Sequence, residues 1–389
     1  MVSNLLQSAY TLPLTAGLAV LLLGHLSTRG SPPKLIPSPL KSVLPSLTDS
    51  DKAGLPYPPD ALPGARDVSS PYGTFRCYEW GPTNGRFVLL VHGISTPSLA
   101  LYPLAQRLVN EHGCRVLLMD LWGRGYSDAP GDLDYDARLY TSQILLALTS
   151  SPVSWTGSGG PAHGFDIMGY SLGGGIASNF AANFPHMIRS VTLMTPAGLI
   201  RPERRGWTMR LMYSSPFFPE ALLKWFVKRS LGGGKATTGT NYQAQNSKSG
   251  ISFNILNATT EELPKENAPD EGPLIAAYPH VSVAGAVNWQ LMTHPGFIPS
   301  FISSIRHAPN VAQHEMWRHI PKAGQKPKVL ILAGESDPII LADELREDAI
   351  AVLGEENVRF EVLSCGHELP VTCSEQVSAI IGQFWSLKL

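Results

Sequence analysis

Residues 165–184 read FDIMGYSLGGGIASNFAANF, an apolar run and a helix-like run joined at Gly169-Tyr170-Ser171-Leu172-Gly173. The leading FDIMG suits a buried strand and the trailing LGGGIASNFAANF suits a helix. Between them the pattern G-x-S-x-G sets a serine on a strand-to-helix turn. A side chain on such a turn is exposed by backbone strain, and small neighbours are required where the backbones crowd. The N-terminal end of the following helix also favours developing negative charge. The five-residue pattern alone recurs by chance; its setting between a strand and a helix gives it weight.

Outward from this turn, short apolar runs alternate with helical patterns. Strands are predicted at 74–80, 86–91, 115–120, 165–169, 190–194, 328–333 and 359–363, and helices at 99–111, 139–148, 172–184, 341–353 and 374–385. That alternation is the signature of βαβ units, and it predicts an α/β fold with a mostly parallel central sheet flanked by helices. Residues 201–321 interrupt the rhythm with no clear strand. So long a gap is poorly explained as a loop, and it reads as an inserted helical cap over the strand ends. Its aromatic residues, Trp207, Tyr213, Phe217, Phe218, Trp225 and Phe226 among them, could line an acyl pocket or simply pack the cap on the core.

Three further segments fall at predicted strand ends. Val91-His92-Gly93-Ile94 follows the strand at 86–91, where the backbone N–H of Ile94 together with that of Leu172 could hold an oxyanion. His92 reads as a loop-shaping residue, since a base is expected later in the chain. Gly334-Glu335-Ser336-Asp337-Pro338 offers two carboxylates just past the strand at 328–333. Ser364-Cys365-Gly366-His367-Glu368 puts a histidine after the last strand, from which one ring nitrogen can reach Ser171 and the other a carboxylate. The order serine, acid, histidine, each at a strand end, singles out His367 from the eleven histidines. His314-Glu315-Met316-Trp317-Arg318-His319 is not read as a zinc site, because its histidines are one residue too far apart for a shared helical face.

The set VHGI, MDLWGRGYSD, MGYSLGGGIA, LMTPAGL, LAGESDPII and CGHELP resembles the α/β-hydrolase superfamily over residues 74–199 and 328–389. The resemblance implies Ser171 as nucleophile, Asp337 rather than Glu335 as the acid, His367 as the base, and a site-shaping role for residues 120–127. Relatives with an aspartate nucleophile, the epoxide hydrolases and haloalkane dehalogenases, do not fit Ser171. No H-x-x-x-x-D follows the histidine, so the acyltransferase signature of some relatives is missing. The PAGL segment and the apolar N-terminus are also similar to membrane-bound monoacylglycerol lipases. The expected activity is cleavage of a carboxylic ester, of a lipid in particular, through an acyl-enzyme. The alternatives are a C–C bond hydrolase, thioesterase or peptidase with the same three residues, or a catalytically silent ligand-binding member. No metal or organic cofactor is called for.

Composition bounds the rest. With 389 residues, 43% hydrophobic and 16% charged, the chain has room for a large core. A net charge of -1 without a basic run excludes a nucleic-acid partner, which needs a concentrated cationic face. Cys77, Cys114, Cys365 and Cys373 form no C-x-x-C pair and are expected as reduced thiols. Residues 12–26, LPLTAGLAVLLLGHL, are nearly all apolar and no charged residue precedes Arg29. As a helix, residues 9–26 would span about 27 Å, close to the thickness of an endoplasmic-reticulum bilayer. Residues 1–30 are therefore read as a single-pass anchor, with a cleaved signal peptide and a secreted chain as the alternative. Arg29, Lys34 and Lys41 follow it, which predicts a cytosolic catalytic domain and an unglycosylated Asn257. Residues 31–65 are rich in Pro and Ser and read as an extended spacer or a surface strap. The hydrolase core is assigned to 66–200 and 322–389, with the cap at 201–321.

Overall fold

The structure, a computed structural model, describes residues 33–156, 164–204, 223, 273–320 and 328–386. An eight-stranded sheet is formed by β1 (Ala65–Ser70), β2 (Gly73–Trp80), β3 (Arg86–Val91), β4 (Cys114–Met119), β5 (Phe165–Tyr170), β6 (Ile188–Met194), β7 (Lys328–Gly334) and β8 (Val358–Leu363). Its order is β8-β7-β6-β5-β3-β4-β2-β1. β3 to β8 run parallel, and β1 and β2 add an antiparallel edge.

Seven of the eight strands coincide with predicted ones. The exception is β1: ARDVSS has one buried residue in six, the mark of an edge strand too polar to show an apolar run. It also moves the boundary of the Pro-rich segment, whose last residue, Ala65, already belongs to the sheet.

The longer helices among the described residues are α1 (Tyr102–His112), α2 (Ala137–Thr149), α3 (Leu172–Asn183), α4 (Val283–Thr293), α5 (Phe297–His307), α6 (Ala342–Leu353) and α7 (Ser374–Ser386). Strand side chains alternate between two cores. Leu89, Val91, Ile167 and Ile331 face α2, α3 and α6, through Ile144, Phe180 and Ala349. Val88, Leu90, Met168 and Leu332 face α1 and α7, through Leu104, Leu108 and Ile381. Both faces being covered is why these strands read as continuous apolar runs. The strand order reverses beside β3, with β4 on one flank and β5 on the other. Open sheets of this kind leave a crevice at that reversal, at the carboxyl ends of the strands.

Parts of the Pro-rich segment lie against the core. Leu35–Ile36 pairs antiparallel with Ala129–Pro130, and Ser38 N donates to Asp128 Oδ1 at 2.9 Å. Tyr57 is fully buried and donates to Tyr78 OH at 2.7 Å. Within the insertion, α4 and α5 are buried against the core rather than standing clear of it. Among the described residues no helix is long and apolar enough to cross a membrane. The run at 12–26, Asn257 and the aromatic residues named for the cap lie outside them.

Candidate active site

β5 delivers the chain into the crevice and α3 takes it away at once. Ser171 at the junction has φ 51° and ψ -118°, a backbone region that costs a non-glycine residue about 1–3 kcal/mol. The surroundings hold it there. Ser171 N donates to Met194 O at 3.1 Å, and the Ser171 carbonyl accepts from Gly174 N at 2.9 Å and Ala197 N at 2.8 Å. The two glycines of the motif are explained by approach rather than by φ. A Cβ on Gly169 would lie 2.2 Å from Gly173 O, and one on Gly173 would lie 2.1 Å from Val91 O. The serine is thus pressed between β3, β5 and β6, with its hydroxyl at the sheet's carboxyl edge.

Two distant loops meet it. His367 follows β8 and is fully buried; its Nε2 lies 3.0 Å from Ser171 Oγ, and its Nδ1 lies 2.7 Å from Asp337 Oδ2. Asp337 follows β7 and is 3% exposed. Its other oxygen, Oδ1, accepts from Ile339 N at 2.8 Å and Ile340 N at 2.9 Å. An acceptor-only carboxylate fixes the ring: Nδ1 carries the hydrogen and donates to Asp337, and the Nε2 lone pair faces the serine hydroxyl. Thr195, which follows β6 at φ 39°, donates from Oγ1 to the His367 carbonyl at 3.4 Å. Glu335, the competing carboxylate, is exposed and instead accepts from Ser364 Oγ at 2.9 Å.

Leu172 is the first residue of α3, so its N–H has no acceptor within the helix. Ile94 follows β3, which pairs with β5 through Val91 and Gly169. Both are buried, at 2% and 5% exposure. His92 is fully buried and accepts from Leu121 N at 2.9 Å through Nε2, while Nδ1 donates to Gly93 O at 2.8 Å. Burial holds it neutral, with a pKa pushed down to about 3. It ties the loop after β3 to the loop after β4 and plays no part in the relay.

Residues from the insertion reach the same loops, and sequence reading did not single them out. Gln290, on α4, accepts from Gly125 N and donates to Ser95 O. Ser300 and Ser304, on α5, accept from the Arg124 guanidinium, and His294 Nε2 donates to Ser127 O at 2.8 Å. The available signal was a glutamine among the apolar residues of WQLM, since a polar residue on a buried helix face needs a partner. Among the described residues there is no cluster of three or more potential metal ligands.

Comparison with known proteins bears on the fold. A family profile described as alpha/beta hydrolase fold matches residues 86–369. A serine hydrolase-like protein of Danio rerio is 31% identical over 134 residues, 34% of this chain and 38% of that relative. The chain therefore matches well under half the length of that relative. Among solved structures, a naproxen esterase (carboxylesterase NP) from Bacillus subtilis superposes with a TM-score of 0.56 at 17% identity, covering 88% of this chain and all of that one. A bacterial membrane phospholipase A superposes with a TM-score of 0.57 at 16% identity, covering both chains in full.

Proposed function

Because the chain belongs to the alpha/beta hydrolase fold family, we propose that it is a serine hydrolase acting on a carboxylic ester through Ser171, His367 and Asp337. One observation carries the reading: a single buried imidazole lies within hydrogen-bond reach of the Ser171 hydroxyl on one nitrogen and of a carboxylate on the other. In the proposed mechanism His367 Nε2 takes the proton as Ser171 Oγ attacks the acyl carbon. The imidazolium that forms is stabilised by Asp337 and returns the proton to the leaving alcohol. The N–H groups of Ile94 and Leu172 hold the oxyanion, and α3 adds the favourable end of its dipole. Water then cleaves the acyl-enzyme by the same proton path in reverse.

The narrower reading, a lipid ester such as an acylglycerol, rests on the apolar run at 12–26, which would hold the enzyme on an endoplasmic-reticulum membrane beside such substrates. A panel of short esters, acylglycerols and phospholipids, assayed with the full chain and with Ser171→Ala, tests both levels. The expected result is loss of hydrolysis by about 10⁴-fold or more in the variant, with wild type most active on an acylglycerol. Activity that survives in Ser171→Ala sinks the serine mechanism. Indifference to acylglycerols in an otherwise active enzyme sinks only the lipid assignment.

A further inference from the structure

The loop after β3 is gripped on its carbonyl side by two buried side chains that take no part in the proton path. Arg124 is fully buried and donates from Nε to the Ile94 carbonyl at 2.8 Å. Its Nη1 and Nη2 donate to Ser300 Oγ at 2.6 Å and Ser304 Oγ at 3.1 Å on α5. Gln290, fully buried on α4, donates from Nε2 to the Ser95 carbonyl and accepts from Gly125 N at 2.9 Å through Oε1. Consecutive carbonyls at 94 and 95 are therefore each fixed by a side chain that is itself tied to the helix pair or to the loop after β4.

A backbone N–H is aimed only by the dihedral angles of its loop. The Ile94 N–H and C=O lie on adjacent peptide planes that share one Cα, so pinning the carbonyls at 94 and 95 restricts the angles that orient that N–H. Burying a guanidinium costs substantial desolvation energy, which an apolar side chain of similar size would avoid. Its hydrogen bonds to Ile94 O, Ser300 and Ser304 give it a role an apolar side chain cannot fill.

We propose that Gln290 and Arg124 are positioning residues that aim the Ile94 N–H at the oxyanion, so that the seating of α4 and α5 sets the rate of acyl transfer. The inference rests on the serine-hydrolase reading. It predicts that loosening α4, with no change to Ser171, His367 or Asp337, selectively weakens stabilisation of the transition state.

Gln290→Glu keeps the acceptor for Gly125 N–H and removes the donor to the Ser95 carbonyl; Gln290→Met removes both. The measurements are kcat and KM on a short p-nitrophenyl ester, the Ki of a trifluoromethyl ketone with the same acyl group, and the unfolding midpoint. The expected outcome for Gln290→Glu is a fall in kcat of about 10- to 100-fold, with KM within about twofold of wild type. Binding of the ketone should weaken in parallel, because its adduct carries the oxyanion. Should neither Gln290 variant fold, Arg124→Lys is expected to show the same split and carries the same comparison. Folded variants whose kcat and ketone Ki stay at the wild-type values, or whose loss lies in KM alone, overturn the positioning role. A wild-type chain that neither hydrolyses the ester nor labels at Ser171 with a fluorophosphonate removes the hydrolase reading and this inference together.

Discussion

The turn that carries Ser171 and the clamp on residues 94 and 95 serve one site and are built in opposite ways. In the turn, Gly169 and Gly173 meet four positions apart, and the strained Ser171 backbone is held by Gly174 N in its own helix and by Met194 O and Ala197 N at and just past the neighbouring strand β6. The clamp joins partners far apart in sequence: Arg124 reaches Ser300 and Ser304, and Gln290 reaches back to Ser95. The first region leaves a mark in a short window of sequence. The second exists only once the insertion is seated. The difference separates chemistry that is locally encoded from chemistry that is held in place by tertiary contacts.

The largest expected effect breaks the relay without touching either region. Asp337→Asn retains an oxygen for the amides of Ile339 and Ile340 but presents an NH₂ donor to His367 Nδ1, which must then accept. The imidazole is then held in the wrong tautomer, and kcat on a short ester should fall by about 10⁴-fold with the unfolding midpoint little changed. A loss below tenfold would move the acid role away from Asp337.

A smaller effect probes the local region. Gly173→Ala drives a Cβ to within 2.1 Å of Val91 O and 2.7 Å of His92 O, both backbone atoms that cannot step aside cheaply. Denaturant unfolding should show a loss of about 1–3 kcal/mol, and fluorophosphonate labelling of Ser171 should slow as the loop after β3 is pushed outward. Unchanged stability would mean that the turn is looser than its contacts imply.

The same contrast explains what could be read in advance. Ser171 and Asp337 sit at ends of strands buried on both faces, so apolar runs pointed directly at them, whereas His367 follows the half-buried edge strand β8 and stands out by its place after the serine and the acid. β1 was missed because an edge strand such as ARDVSS needs few apolar residues. Tyr57 gave no signal either: its hydroxyl meets Tyr78 OH inside the core, although the surrounding Pro-rich stretch reads as a spacer or a surface strap. Gln290 and Arg124 carry polar atoms whose partners lie up to 195 residues away, and no periodicity encodes such pairs.

The smallest effect is one of pH, and it tests whether His92 belongs to the clamp or to the chemistry. Buried with Nε2 accepting from Leu121 N, His92 has its pKa pushed down to about 3 from the ordinary 6.5, chiefly by desolvation. His294, donating to Ser127 O, is pushed down to about 4 by the same cause. Between pH 6.5 and those values the unfolded chain binds protons that the folded chain refuses. Stability is therefore fully present above pH 6.5 and declines as pH falls, by up to about 1.4 kcal/mol per pH unit for each histidine. His92→Asn, uncharged throughout, should flatten the dependence of unfolding free energy on pH between 6.5 and 5 by about one such contribution. Its short-ester kcat at pH 8 should stay far above that of Asp337→Asn. A slope identical to wild type would show that His92 binds its proton in the folded protein too. A kcat as low as that of Asp337→Asn would move His92 from the loop's scaffold into the reaction.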